Sequence, residues 1–262
     1  MTKLFFTIEN GNHCGLDLFT VKSKALNQRA DISVYKPENA PKDLPVVVLL
    51  HGVYGSHWAW SLKANVHLTL EKNINKGLLP PMLLVMPSDG LFQDGSAYLA
   101  HQNANYEKWI AEEVPLLIKE HYKEVSNKSP FFIAGLSMGG YGALRIGAKY
   151  PKTFSAFSGL SSITQFSDFK EFVEDYNALK SAVIKAEEVF EVLLENQSDL
   201  GPFRFDCGSE DNLYLGNVKL HEQLQSAGIK HQFFTYKGEH NWEYWTEHIS
   251  ETLQFFANSI QR

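Results

Sequence analysis

Residues 131–150 read FFIAGLSMGGYGALRIGAKY: an apolar run, the pentapeptide Gly135-Leu136-Ser137-Met138-Gly139, then apolar residues at helical spacing. A serine in G-x-S-x-G between a strand and a helix occupies a tight, strained turn that lifts its hydroxyl above the edge of a sheet. Glycines at 135 and 139 let strand and helix pass where a Cβ would collide. A plain Gly/Ser turn is the competing reading, but it leaves the strand-forming and helix-forming flanks without an account. The segment therefore predicts a β-turn-α unit with Ser137 as a candidate nucleophile.

The rest of the chain supplies a sheet for that unit. Short, wholly apolar runs at residues 46–50, 82–86 and 131–135 are each bounded by Pro, Gly, Asp or Ser, as strands covered on both faces should be. Between the last two, Trp109, Ile110, Val114, Leu117 and Ile118 recur at helical spacing. Strand and helix alternate, so the central sheet is expected to be parallel. Polar/apolar alternation over residues 16–21 and 30–35 predicts half-buried strands in an antiparallel lead-in. Residues 154–159, 203–208 and 231–236 complete the strands, with a helix over 213–227. Residues 161–200 carry charged helices; they are a candidate cap insertion over the site, or equally a surface helix pair. A chain of 262 residues is expected to form one α/β domain over 1–262.

Charge and cysteine content narrow the partners. With 24 Lys and Arg against 30 Asp and Glu, the formal net charge is -6, and no dense basic run marks a nucleic-acid or anionic-membrane surface. Only Cys14 and Cys207 are present, outside any C-x-x-C, which suits a reducing compartment. The N-terminus has an apolar stretch too brief for a leader's core, so a cytoplasmic protein is expected. No apolar stretch approaches the roughly 18 residues of a membrane span. Without H-E-x-x-H, clustered His and Cys, a Walker loop or G-x-G-x-x-G, neither metal, nucleotide nor other cofactor is expected. The oligomeric state is left open.

A serine hydroxyl is a weak nucleophile at neutral pH and needs a base, itself oriented by a carboxylate. When a serine on such an elbow is followed in the chain by its acid and then its base, the candidates are few. Downstream of Ser137, His221 falls within a helix, His231 opens a strand and His248 lies in the terminal helix. His240 alone sits in a loop directly after the last strand. For the acid, FDCGSEDNLY offers Asp206 at a strand end, Glu210, and Asp211 in the turn beyond. Asp211 is the first choice because the turn better lets a carboxylate reach His240, with Asp206 and Glu210 as fallbacks; its competing role is a helix N-cap. An oxyanion needs amide donors. Met138, which follows the serine, supplies one, and the His51-Gly52-Val53-Tyr54-Gly55 loop the other, with Val53 ahead of Gly52 and Tyr54. His51 precedes Ser137 and reads as structural. Tyr54, Trp58 and Trp242 are candidate substrate contacts among aromatics at the same edge, which include Trp60, Tyr244 and Trp245; core packing competes for each. Asp89, Asp94 and Tyr98 are candidates for the rim.

LLHGVYGSHWAW, GLSMGGYGALRIGAKYP, DCGSEDNLY and GEHNWEYW resemble the matching blocks of the "putative esterase" family of the α/β-hydrolases, which includes tributyrin esterase, S-formylglutathione hydrolase (esterase D) and feruloyl esterases. The resemblance covers roughly residues 15–258 and maps nucleophile to Ser137, acid to Asp211 and base to His240. It implies hydrolysis of small-molecule carboxylic esters through an acyl-enzyme, without cofactor. The oxyanion loop is more similar to that of tributyrin esterase than of esterase D. S-formylglutathione, acetylated or feruloylated carbohydrate, acyl transfer, and a non-catalytic binding module are the alternatives.

Overall fold

The computed structural model describes residues 8–260. The N-terminal apolar stretch discussed above falls largely on residues outside these. Among the described residues a lead-in of β1 (Ile8–His13), β2 (Leu16–Lys22) and β3 (Arg29–Tyr35) precedes β4 (Val46–Leu50), α1 (Ala59–Lys63), α2 (Val66–Asn75) and β5 (Leu83–Pro87). Next come α3 (Tyr106–Lys108), a π-helical turn (Trp109–Glu113), α4 (Val114–His121), β6 (Phe131–Leu136), α5 (Met138–Lys149) and β7 (Phe154–Leu160). A 3-10 turn (Phe166–Glu171), α6 (Tyr176–Ala182) and α7 (Val189–Glu195) lead to β8 (Phe203–Gly208), α8 (Tyr214–Ser226), β9 (Gln232–Tyr236) and α9 (Trp242–Ile260).

The strands form one sheet in the order β1-β2-β3-β5-β4-β6-β7-β8-β9. The lead-in pairs antiparallel, as its alternation predicts, and β3 joins β5 antiparallel. From β5 onward all pairs are parallel. The apolar runs are buried on both faces because their side chains alternate between two helical layers. Val46, Val48 and Leu50 pack with Trp109, Ile110 and Tyr141, whereas Val47 and Leu49 pack with Leu70, Leu253 and Phe256. Phe132 of β6 stacks on Phe256 of α9 at 4.9 Å. Each such side chain contributes about 1.5–3 kcal/mol by leaving water.

Two differences from the sequence reading have local causes. The helical stretch read from the spacing of Trp109 to Ile118 is interrupted by the π-helical turn just ahead of Pro115. Proline lacks the N–H, and its ring crowds the carbonyl four residues back, so the backbone takes a wider turn. His231 does not open β9 but precedes it, its Nε2 2.7 Å from His221 Nδ1.

Residues 161–200 lie on the layer that also holds α5. Phe166, Phe169, Leu179, Val189 and Leu193 are buried in that core. An ionic cluster fastens the segment: Arg145 of α5, wholly buried, donates to Glu187 at 2.5 Å and to Glu107 at 2.9 Å, and Lys149 reaches Glu107 at 2.8 Å. Tyr141 adds a hydroxyl bond to the Glu187 carbonyl. No helix among the described residues is long and apolar enough to cross a membrane.

The tightest packing is at the elbow. A Cβ on Gly135 would run into the Gly139 carbonyl, and one on Gly139 into the Leu50 carbonyl of β4. Gly135→Ala is therefore expected to lose at least about 2 kcal/mol, near the middle of the range for overpacked cores, because backbone rather than a flexible side chain must yield. Thermal unfolding of the purified variant should show a drop of several degrees.

Candidate active site

Ser137 stands between β6 and α5 with φ 53° and ψ −117°, a conformation unfavourable to any residue with a Cβ. Three neighbours hold it there. Its N–H donates to the Leu160 carbonyl, and its carbonyl accepts from both Tyr141 and Ile163 amides.

The loops after β8 and β9 bring the predicted partners to it. His240 Nε2 lies 3.0 Å from Ser137 Oγ, and His240 Nδ1 lies 2.9 and 3.1 Å from the Asp211 carboxylate oxygens. Asp211 is buried, which by itself would raise its pKa. The hydrogen bond and charge of His240 and the Leu213 N–H, 2.8 Å from Oδ1, outweigh burial and leave the carboxyl below its ordinary range. The competing N-cap role is not taken up, since Leu213 occupies the N-cap of α8 without a side-chain bond; one Asp211 oxygen instead accepts the Leu213 amide in the turn ahead of the helix, while both face His240. His240 itself is wedged between rings, 5.1 Å from Phe172 and edge-on to Trp245 at 5.0 Å.

The two fallback acids have other positions. Asp206 is fully buried, accepting from Arg204 at 2.8 Å and from the Tyr244 hydroxyl at 2.9 Å. Burial pushes its carboxyl up to about 6, against the pull of Arg204. Glu210 is exposed, its amide bonded to the Gly238 carbonyl.

The oxyanion candidates flank the serine. Met138 is the first residue of α5, so its N–H has no partner within the helix. Gly52 lies against Ser137: a Cβ built on it would sit 3.3 Å from the serine Cβ. In the same loop the Tyr54 amide donates to the Asp94 carbonyl at 3.0 Å and the Gly55 amide to the Gly52 carbonyl at 3.1 Å. Tyr54 is thereby removed as a donor, while the Val53 and Gly52 amides have no backbone acceptor among the described residues. His51 is structural, as expected: Nδ1 lies 2.7 Å from the Gly52 carbonyl and Nε2 accepts the Asp89 amide at 2.9 Å.

A cavity of about 530 Å³ opens over Ser137 and His240, walled by Tyr54, Trp58, Trp242, Trp245 and Phe172. The three aromatics named as candidate contacts all line it. Trp60 and Tyr244 instead belong to the core, with the Trp60 indole N–H on the Leu50 carbonyl and the Tyr244 hydroxyl on Asp206. Two rim assignments are corrected. Asp89 is buried with its carboxylate accepting from the Leu91 and Ser96 amides, and Tyr98 is buried with its hydroxyl on the His51 carbonyl. Both brace the loop after β5 from below. Phe172 and Lys63 line the cavity without having been singled out; Phe172 ends the Phe166, Phe169, Phe172 run, whose first two members are core.

A larger groove of about 870 Å³ lies between β9 and α9, lined by Arg204, Tyr236 and Glu251 among others. No hydroxyl among its described lining residues is hydrogen-bonded to an imidazole, unlike Ser137 in the smaller cavity. Among the described residues no three His, Cys, Asp or Glu side chains gather in a way that could hold a metal ion.

The chain is similar in sequence and in fold to known esterases. An acetyl esterase from Caldicellulosiruptor saccharolyticus is 24% identical over 265 residues, covering 90% of this chain and 95% of that protein. A solved ferulic acid esterase superposes with a TM-score of 0.81 at 25% identity, over 98% of this chain and 100% of that one. The S-formylglutathione hydrolase of Staphylococcus aureus shares the fold, with a TM-score of 0.79 at 19% identity, over 94% of this chain and 100% of that one. Because residues 23–256 match the family model described as "Putative esterase", the chain belongs to that family of carboxylic ester hydrolases on the α/β-hydrolase fold.

Proposed function

We propose that this chain is a serine carboxylesterase acting on esters of small or aromatic acyl groups through an acyl-enzyme. The observation that carries the reading is the single imidazole within hydrogen-bond reach of both Ser137 Oγ and the Asp211 carboxylate, at the floor of an aromatic cavity. Ser137 Oγ attacks the ester carbonyl carbon and its proton passes to His240 Nε2. The carbonyl oxygen takes up the charge and is received by the Val53 and Met138 amides. As the tetrahedral adduct collapses, the C–O bond to the alcohol breaks and His240 returns the proton to the departing oxygen. Water, activated by the same imidazole, then attacks the acyl-Ser137 carbonyl and releases the acid. Asp211 keeps the proton of His240 on Nδ1 throughout, leaving Nε2 free to accept.

Tyr54, Trp58 and Trp242 supply flat apolar surface for the ester, which suits short acyl and aromatic-acyl groups alike. Residues 161–200 act as the cap, contributing Phe172 to the wall. The thiols of Cys14, exposed, and Cys207, buried, are both free, in keeping with the cytoplasmic location we propose.

Purified protein is expected to cleave p-nitrophenyl acetate and to be labelled at Ser137 by a fluorophosphonate; a Ser137→Ala variant that still cleaved the ester at the wild-type rate would overturn the reading. The two aspartates separate cleanly. Asp211→Asn should lower kcat about 10⁴-fold by favouring the wrong tautomer. Asp206→Asn leaves the Arg204 charge buried and unpaired, so it should lose about 3–5 kcal/mol in denaturant titration, yet still be labelled at Ser137 while folded. The depressed pKa of Asp211 adds stability that is complete above the ordinary carboxylate range and lost only as pH falls below about 4. Melting temperatures of wild type and Asp211→Asn should therefore converge as the pH falls below about 4.

A further inference from the structure

The loop after β5 reaches both sides of the candidate site. Its base is fixed by Asp89, whose amide donates to His51 Nε2 and whose carboxylate accepts two amides of the loop itself. At its tip Asp94 makes two bonds to separate elements. The backbone carbonyl takes the Tyr54 amide at 3.0 Å, and Oδ2 takes the Glu174 amide at 2.8 Å. Tyr54 follows Val53, and Glu174 lies two residues beyond Phe172, the ring packed on His240. The phenol of Tyr54 also lies beside the Asp94 and Glu174 carboxylates.

Gly95 carries the same loop across the two oxyanion candidates. A Cβ built there would stand 2.5 Å from Met138 Sδ and 3.9 Å from Val53 Cγ1. The backbone on either side of the Asp94 carbonyl bond is strained: Tyr54 has φ 58° and Gln93 φ 45°. Neither conformation suits a residue with a Cβ, so both depend on what surrounds them. The bond from Asp94 fixes the peptide plane between Val53 and Tyr54, directly after the Val53 Cα, and the Gly55 amide is committed to the Gly52 carbonyl, so the Gly52 and Val53 amides are the donors of this turn without a backbone acceptor among the described residues.

We propose that Asp94 is a positioning residue for ester hydrolysis: it clasps the Val53 turn to the Phe172 turn, and thereby sets the oxyanion donor and the His240 ring together. This rests on the esterase reading above. Asp94 is not among the residues that line the cavity. Its effect passes through Val53 on one side and Phe172 on the other, and should appear in kcat rather than in ground-state binding.

The test compares Asp94→Ala, which keeps the carbonyl but removes the side-chain bond to Glu174, with Asp94→Asn, whose amide oxygen can still accept it. With p-nitrophenyl acetate, Asp94→Ala should lower kcat about tenfold with KM within about twofold, whereas Asp94→Asn stays within about twofold of wild type in both. Affinity for a trifluoromethyl ketone, whose hemiketal oxyanion occupies the same amides, should fall about tenfold in Asp94→Ala alone. Gly95→Ala, which displaces Met138, should lower kcat in the same direction. Equal kcat and equal ketone affinity in wild type and Asp94→Ala would overturn the proposal while leaving the esterase reading intact. So would a loss of rate matched by Asp94→Asn, or one seen only in KM. Should Asp94→Ala fail to fold, Asp94→Ser, too short to reach the Glu174 amide, takes its place with the same expected values. A wild-type protein inert to both ester and fluorophosphonate would overturn both readings.

Discussion

Helix α5 starts where it does because nothing larger than hydrogen stands between Gly139 and the Leu50 carbonyl, or between Gly135 and the Gly139 carbonyl. That contact lets α5 pass close to β4 and β6 at once and forces the chain to reverse within one residue. Ser137 is that residue, and its unfavourable dihedrals are held by bonds to β7 and to the first turn of α5. The hydroxyl is raised over the sheet because the backbone beneath has no other way through. All else in the site, from the amides of Met138 and Val53 to the loops carrying Asp211 and His240, is placed relative to this crossing.

The far end of α5 has a second duty. Arg145 and Lys149 meet Glu107 and Glu187 in a largely dry environment, with the Tyr150 hydroxyl also on Glu107. Pairs of this kind add little net stability over an apolar substitute, since desolvating the charges consumes most of their attraction. Their directional demands are strict, however, and here they hold the chain entering α7 against the helix that begins directly after Ser137. The wall residue Phe172 thus belongs to a segment joined to α5 by both core packing and charge.

How much of this the sequence reveals depends on the range of the interaction. The strands buried on both faces are legible as unbroken apolar runs, and the elbow as its glycines, because each is fixed by a few consecutive residues. Ser137, His240 and Asp211 are legible because a fixed chain order and strand-end loops leave few candidates. Asp89 and Tyr98 look identical in sequence to residues at a rim; only the inward fold of their loop, with amides turned onto the Asp89 carboxylate, sends them underneath. Phe172 is invisible for the opposite reason. It continues a run of core phenylalanines and reaches the site only because the segment crosses to the loop bearing His240. The π-helical turn did have a sequence signal, in Pro115, whose backbone consequence the helical periodicity conceals.

Parallel pairing also dictates when the site can exist. The lead-in strands β1 to β3 close on short turns, but β4 takes its second neighbour only when β6 arrives, and β8 must wait for β9. His240 lies 103 residues beyond Ser137 in the chain. During synthesis the elbow can therefore form well before the loops carrying His240 and Asp211 reach it. The gathering of Ser137, His240 and Asp211 is thus a late property of the complete sheet, reached only when β9 and the loop before the C-terminal helix are in place.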